Sequence, residues 1–164
     1  MLLNRILEEL EQRVIIPLLA FLLAFITIGV FIQVVMRYLF SMSFLWGEEL
    51  SLFAFIWSVF LGAAVGVRRR IHLGFDFLPD MLTGRWLEAQ RIVINLSILI
   101  VALLLLIEGW NFSVLSIRRL SPALGISLFV PTLMIPISGA LMTVIVLRDL
   151  ARDFRQFFAG ERTL

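Results

Sequence analysis

Four stretches of the chain carry no charged residue and are long enough, or nearly long enough, to cross a bilayer. They run from Val14 to Met36, from Leu50 to Val67, from Ile92 to Ile107 and from Pro122 to Leu147. About 20 apolar residues at roughly 1.5 Å each span the ~30 Å hydrocarbon core of a membrane. The pattern predicts an all-α integral membrane protein with four transmembrane helices.

These runs also predict the boundaries of a single membrane domain, 1–164. An interfacial helix is expected over 2–13, membrane helices over 14–37, 48–68, 92–113 and 127–150, and a cytoplasmic loop over 69–91. The first segment is amphipathic because Leu3, Leu7 and Leu10 share one helical face. We expect Pro131 in the first turn of the last helix and Pro136 to bend that helix, since proline lacks an N–H. The last helix then continues beyond the bilayer as an amphipathic cytoplasmic tail.

The arginines indicate which side of the membrane each end of the chain faces. All 14 basic residues are Arg, and eleven of them flank the side that holds both termini and the middle loop. Only Arg37, Arg118 and Arg119 lie on the opposite side. Cytoplasmic loops hold the excess of Lys and Arg in membrane proteins. The count therefore predicts that both termini are cytoplasmic.

Composition agrees with a membrane location and excludes several kinds of site. The chain is 61% hydrophobic and 16% charged, with a mean hydropathy of +1.03, whereas soluble domains are nearer half apolar and a quarter charged. There is no Cys, and His72 is the single His, so no Cys-ligated metal and no bis-histidine haem can form within this chain. We predict no catalytic residue, no metal site and no nucleic-acid partner, because the arginines cap apolar runs and do not form one basic face.

The interiors of the predicted spans are almost free of ionisable groups. A charge near mid-membrane costs at least ~2.5 to 3.5 kcal/mol and usually marks a transport path. Hydroxyl groups such as that of Ser58 can bond back to their own helix. We therefore expect no substrate-binding residue in this chain. Glu108, near the outer end of the third span, is either a buried functional carboxylate or an interfacial side chain.

Small residues recur at every fourth position of the second span, at Ala54, Ser58, Gly62 and Gly66. Such a ladder lets another helix approach closely, which is how membrane helices associate. The approaching helix belongs either to this chain or to another one, and the spacing alone fits both.

Three charged residues lie where the first two spans meet on the outer side. Arg37 ends the first span, and Glu48 and Glu49 begin the second, so each charge suits the helix dipole beside it. One hypothesis is an ion pair across the connecting loop. The other is simple anchoring in the interface, together with Trp46 in the aromatic belt.

The stretch from Arg37 to Asp76 resembles the small membrane subunit, of the four-helix Q type, of tripartite ATP-independent periplasmic (TRAP) transporters. The resemblance rests on an Arg, a Trp with paired Glu, a Trp in the second span, a Gly-Ala-Ala run, and then Arg, His and Asp: Arg37, Trp46, Glu48, Glu49, Trp57, Gly62, Ala63, Ala64, Arg68, His72 and Asp76. The segment around Pro131 and Pro136 is similar to the family's entry to the fourth span. Ser127 departs from the pattern, which has Pro there.

The resemblance implies a three-part importer driven by a sodium gradient in the bacterial inner membrane. A periplasmic binding protein captures the substrate and a large elevator-type subunit carries it, together with the sodium ions, so this chain would need no cofactor. This chain would be a fixed scaffold that also helps dock the binding protein, and the cargo an organic acid such as an acidic sugar or a dicarboxylate.

The residues expected at a subunit interface or in a structural role are Arg37, Trp46, Glu48, Glu49, Ala54, Trp57, Ser58, Gly62, Gly66, Arg68, His72, Asp76, Pro131 and Pro136. His72 and Asp76 are expected to anchor the cytoplasmic loop, and proton coupling by His72 is the alternative. Two other functions compete with the importer subunit. A self-sufficient homodimeric transporter would be expected to carry a mid-membrane carboxylate, and a redox or enzymatic subunit is disfavoured by one His and no Cys.

Overall fold

A computed structural model describes residues 9, 11–69 and 85–159, without the side chains of 85–89, 91 and 155–159. Its elements are a π-helical segment at Glu11–Ile15 and the helices α1 (Ile16–Phe40), α2 (Leu45–Arg68), α3 (Arg85–Leu115), α4 (Phe129–Thr132) and α5 (Met134–Ala159). Helices α1, α2 and α3, and α4 with α5, form four segments long and apolar enough to cross a membrane. The predicted all-α fold with four spans is confirmed.

Several helices extend beyond the spans predicted from sequence. Helix α3 begins at Arg85, inside the segment 69–91 that we predicted to be a loop, and α2 begins at Leu45 instead of residue 48. Charged residues show where the hydrocarbon ends, but backbone hydrogen bonds can continue a helix through the headgroup layer. Residues 85–91 of the predicted loop are therefore helical, and the apolar span of α3 runs from Ile92 to Leu115. The predicted interfacial helix 2–13 lies mostly outside the described residues.

The four spans pack as an open series and do not close into a bundle. Helix α1 contacts α2, α2 contacts α5, and α5 contacts α3. Among the described residues, no Cα atom of α1 lies within 8 Å of one in α3 or α5, and none of α2 lies that close to α3. Ala64 of α2 and Ala102 of α3 nevertheless belong to one buried cluster with Met142 of α5. None of the apolar window of α1 is buried, against 50% of that of α4–α5. Much of the surface of α1, α2 and α3 is left for lipid or for another protein.

Two glycines bring α3 and α5 together at backbone distance. A Cβ atom on Gly139 would lie 2.6 Å from the backbone nitrogen of Leu106 and 3.0 Å from the carbonyl oxygen of Ala102. A Cβ on Gly109 would lie 2.7 Å from a methyl carbon of Ile135. Close helix contact of this kind requires small residues, because any side chain would occupy the space of the opposing backbone. The α3–α5 seam is the tightest contact described in the fold.

The entry into the last span is interrupted where proline removes a backbone donor. We expected Pro136 to bend one continuous helix, but α4 ends at Thr132 and α5 starts at Met134, with Leu133 between them. Pro136 cannot donate to the carbonyl of Thr132 four residues earlier. The Oγ of the fully buried Ser113 in α3 lies 3.0 Å from that carbonyl oxygen and 2.7 Å from the carbonyl of Gly109, so its proton is shared between them. A hydroxyl from the neighbouring helix thus replaces the missing amide.

Substituting Ser113 by alanine is expected to destabilise the protein by ~1 to 3 kcal/mol, because it leaves the Thr132 carbonyl unpaired in an apolar environment. The measurement is a denaturant titration of the purified chain in detergent micelles, followed by circular dichroism. Ser97→Ala is the matched control, since the exposed Ser97 of α3 donates only to Val93 of its own helix, at 3.0 Å. Equal losses in the two variants would contradict a special role for Ser113.

Candidate functional site at the outer end of the helices

A short connection places the end of α1 against the start of α2. Helix α1 closes with Ser41 in the left-handed region at a φ of 53°, and the N–H of Met42 donates to the carbonyl of Met36 at 3.1 Å. The chain then enters α2 at Leu45. Because the reversal takes only four residues, the last turn of α1 faces the first turn of α2.

Arg37 and Glu48 form an ion pair across this connection. Their side chains are 56% and 45% exposed, so the pair is worth only ~0.2 to 1 kcal/mol in an aqueous surface setting. Its main effect is to set the orientation of two side chains at the membrane boundary. Of the two hypotheses for these charges, the structure has the ion pair, and it involves Glu48 alone.

The neighbouring Glu49 has a different set of partners, in the segment that leads into α4. One carboxylate oxygen accepts from the N–H of Ala123 at 2.9 Å, and the other accepts from the N–H of Leu124 at 3.0 Å and from the hydroxyl of Ser121. Ser121 is buried. A single carboxylate therefore holds three donors and ties the first turn of α2 to a segment more than 70 residues later.

The connection between α3 and α4 is itself densely bonded. The N–H of Leu128 donates to the carbonyl of Arg119 at 2.8 Å, and that of Ser121 donates to the carbonyl of Ile126 at 2.8 Å. At Ser127, where the resemblance led us to expect Pro, the hydroxyl donates to the carbonyl of Ile117 at 2.9 Å and accepts from the N–H of Phe129 at 3.2 Å. The Ser127 hydroxyl thus closes this segment, which we call the outer loop (residues 116–128).

Below the ion pair, a polar chain joins α1 and α2 inside the membrane segment. The amide nitrogen of Gln33 donates to the Oγ of Ser51 at 3.1 Å, and the hydroxyl of Ser51 donates to the carbonyl of Gly47 at 2.9 Å. A Cβ on Gly47 would lie 3.1 Å from the Gln33 nitrogen. None of these three residues was among those predicted from the sequence. The available signal was the four-residue spacing of two small residues opposite the one amide side chain of the first span.

The two tryptophans of the predicted set lie in different surroundings. Trp46 is about half exposed and packs edge to face against Phe44, with ring centroids 5.8 Å apart. That position suits an aromatic anchor at the membrane boundary. Trp57 lies deeper and lines an apolar groove of about 260 Å³ together with residues of α1, including Phe21 and Phe25.

The ladder of small residues on α2 divides into two halves. Ala54 and Ser58 are buried within the chain, whereas a Cβ on Gly62 or Gly66 would meet no atom within 4 Å. The reason is helical geometry: four residues advance by about 400°, so each step of the ladder turns by ~40° away from the previous one. The first two steps face the other helices of the chain, and the last two face away from them.

Acidic residues at the opposite end of the fold bind the inner arginines. Arg68 and Arg69 both form ion pairs with Glu11, whose side chain is only 7% exposed. On α5, Asp149 and Asp153 are buried, and Asp153 accepts from the amide of Asn95 at 2.6 Å. Glu11, Asp149 and Asp153 were not among the residues predicted from the sequence. Two features of the sequence could have indicated them. Asp149 and Asp153 are four residues apart and so lie on the same face of α5, and Glu11 comes just before the first apolar span.

The predicted interface residues therefore do not form one site. Arg37, Trp46, Glu48 and Glu49 cluster at the outer end, whereas Arg68 lies at the other end of α2. Pro131 is buried in α4 and Pro136 lies in the first turn of α5. His72 and Asp76 lie outside the described residues. Within the described ranges, no three His, Cys, Asp or Glu side chains are grouped so that they could hold a metal ion.

Comparison with known proteins identifies the family. Residues 26–156 match the family described as tripartite ATP-independent periplasmic transporters, DctQ component. The C4-dicarboxylate TRAP transporter small permease protein of Vibrio cholerae is 38% identical over 95 residues, which are 58% of this chain and 41% of the relative. The sialic acid TRAP transporter small permease protein of the same species is 26% identical over 153 residues, 93% of this chain and 84% of the relative.

A third relative is a longer chain. The isethionate TRAP transporter permease protein DctMQ of Oleidesulfovibrio alaskensis is 30% identical over 112 residues, 67% of this chain but only 18% of the relative. The aligned segments thus span less than half the length of the C4-dicarboxylate and isethionate relatives. The family match covers most of α1 and all of α2, α3 and α4. With its four apolar spans, this chain is a multi-pass membrane protein of the DctQ family, the small subunit of a TRAP transporter.

Proposed function

We propose that this chain is the fixed scaffold beside a large, elevator-type transport subunit in a sodium-driven importer of the bacterial inner membrane. The observation that carries the proposal is the open packing of the four spans. By the same 8 Å distance between Cα atoms, α1 and α3 each lie beside one other long span, so their remaining sides are available to a second membrane protein. No charged side chain lies in the middle of a described span, which suits a chain that holds another protein better than one that carries a solute.

The relatives support a large membrane partner and an acidic cargo. The isethionate relative is a single permease chain in which the part similar to this protein takes up 18% of the length, so the remainder of that chain accompanies it. The relatives are named for C4-dicarboxylate, sialic acid and isethionate, which are all organic acids. We propose an organic acid as cargo here, with the sodium ions bound in the large subunit and no cofactor in this chain.

Arg37, Trp46, Glu48 and Glu49, which we call the outer cluster, lie at the outer end of the proposed scaffold. We assign to Arg37, Trp46, Glu48 and Glu49 the role of fixing the outer ends of α1 and α2 and of helping to dock a periplasmic substrate-binding protein. The ion pair and the three hydrogen bonds of Glu49 support the structural part of this role. The excess of arginine on the other side supports cytoplasmic termini.

The test is co-purification with the large subunit of the same transporter, followed by sodium-dependent uptake in proteoliposomes with and without this chain. We expect a stable complex, and uptake only when both membrane subunits are present. Unchanged uptake without this chain would overturn the scaffold role. Uptake by this chain alone would instead support a self-sufficient transporter.

A further inference from the structure

Two arginines at the outer end of α3 have no partner within the chain as described. Arg118 and Arg119 are exposed, and neither guanidinium forms an ion pair or a hydrogen bond with any residue in the described ranges. Arg37, Arg118 and Arg119 are the three arginines on the predicted outer side, where membrane proteins usually have few basic residues. Arg37 is paired with Glu48, so these two supply unpaired positive charge at the outer face.

The backbone holds these arginines in a defined position. The N–H of Arg119 donates to the carbonyl of Ser116 at 3.1 Å, and its own carbonyl accepts from Leu128 at 2.8 Å. The loop is tied to α2 a few residues later through Glu49. A loop fixed at this many points loses little conformational freedom when a partner binds, which favours affinity.

The length of α3 places the arginines at or beyond the lipid headgroups. The 16 charge-free residues from Ile92 to Ile107 cover ~24 Å, about 6 Å less than the hydrocarbon core. The outer boundary of the hydrocarbon lies furthest along α3 when all of this ~6 Å is added after Ile107, and it is then near Asn111. Leu115, the last residue of α3, is then a further ~6 Å out, about the thickness of one headgroup layer. Arg118 and Arg119 follow it.

Apolar side chains surround the arginines at this level. Leu115, Ile117 and Leu120 are 72%, 50% and 65% exposed. Outside the hydrocarbon, exposed apolar side chains are typical of a binding surface for another protein. Arginine is the charged residue that is enriched in protein interfaces. This combination fits a protein partner better than lipid phosphates, which would leave the apolar side chains in water.

We propose that residues 115–120, the outer tip, dock an acidic patch on the water-soluble substrate-binding protein of the same transporter. The inference rests on the proposed function, since it assigns that partner a contact surface. Arg118 and Arg119 attract the acidic patch and speed its approach, and Leu115, Ile117 and Leu120 bury apolar surface once contact is made.

The test uses the complex of both membrane subunits in phosphatidylcholine nanodiscs and the fluorescently labelled binding protein. Exchanging both arginines for glutamate, R118E with R119E, is expected to lower the affinity roughly tenfold or more at low salt, mainly through slower association. The difference should shrink near 1 M salt, where the screening length is ~3 Å. Arg152→Glu is the control, because Arg152 is exposed at the opposite end of the fold and should leave affinity unchanged.

Co-purification separates this inference from the proposed function. The R118E/R119E variant should still assemble with the large subunit, because the arginine side chains hold nothing in the described fold. If the wild-type complex binds the soluble protein and the variant binds it equally well, the docking surface lies elsewhere. If the variant loses only a dependence on added anionic phospholipid, the tip binds lipid headgroups and the proposal is wrong. If the wild-type complex does not bind the soluble protein at all, the docking surface proposed here and the docking role of the outer cluster both fail, whereas the scaffold role still depends on co-purification and uptake.

Discussion

Replacing Gly139 by leucine is expected to destabilise the protein by about 3 kcal/mol, the upper part of the range for overpacked cores. The new side chain would start 2.6 Å from the backbone nitrogen of Leu106, and a backbone cannot turn aside as a flexible side chain can. Helices α3 and α5 would have to separate. Separation would also move the Ser113 hydroxyl away from the Thr132 carbonyl, so the variant would lose a hydrogen bond in addition to the packing contacts.

The measurement is the unfolding free energy of the isolated chain in detergent micelles. Gly62→Leu is the matched control, because a Cβ on Gly62 would meet no atom within 4 Å. Both variants gain the same ~1 kcal/mol of helix propensity, so their difference reports packing alone. A Gly62→Leu loss as large as that of Gly139→Leu would show that the α3–α5 seam is not the critical contact.

Exchanging Glu49 for glutamine is expected to loosen the outer loop, although the side chain keeps its shape. The carboxylate accepts from the N–H groups of Ala123 and Leu124 and from the hydroxyl of Ser121. The amide nitrogen of glutamine is a donor and cannot accept from any of these groups, so at least one of the two N–H groups loses its bond to residue 49. Leu124 would then keep only the Ser121 hydroxyl oxygen, at 3.2 Å, as an acceptor. The start of α2 would then no longer fix the entry to α4.

Amide hydrogen exchange provides a direct readout of this change. Exchange at Ala123 and Leu124 should be faster in Glu49→Gln, and uptake by the proposed transporter complex should fall. Glu48→Gln is the control, since it removes only the exposed ion pair with Arg37 and should leave both amides protected. If the two variants raise exchange equally, the adjacent glutamates act as one interfacial anchor and the separate role of Glu49 is wrong.

The outer cluster shows how far sequence reasoning reached toward the candidate site. Helix-dipole arguments placed Arg37, Glu48 and Glu49 together and raised an ion pair, because all three lie within one short connection. They could not show that the two glutamates point to different partners. Adjacent residues on a helix differ by about 100° in direction, so Glu48 faces α1 while Glu49 faces a segment more than 70 residues away.

The partners of the last span were beyond local reasoning for a similar reason. Pro131 and Pro136 predicted an irregular start of the last membrane helix, because both residues lack a backbone N–H. The sequence could not show which group donates to the Thr132 carbonyl, because the donor, Ser113, belongs to another helix. Likewise Gly139 is one of several small residues in α5, and only its distance from the backbone of α3 sets it apart.

Apolar length and arginine placement are local properties of the chain, so by itself the sequence determined the number of spans and predicted their orientation. The order in which the helices contact one another, α1 to α2 to α5 to α3, was decided only in the tertiary structure. The physical reason is that lipid solvates any apolar helix face equally well, so hydrophobicity does not choose partners inside a membrane. Specific contacts determine which helices pack together: the close approach at Gly139, the hydroxyl of Ser113 that is shared between two carbonyls, and the hydrogen bonds of Glu49. Each of these contacts joins residues that are far apart in the sequence.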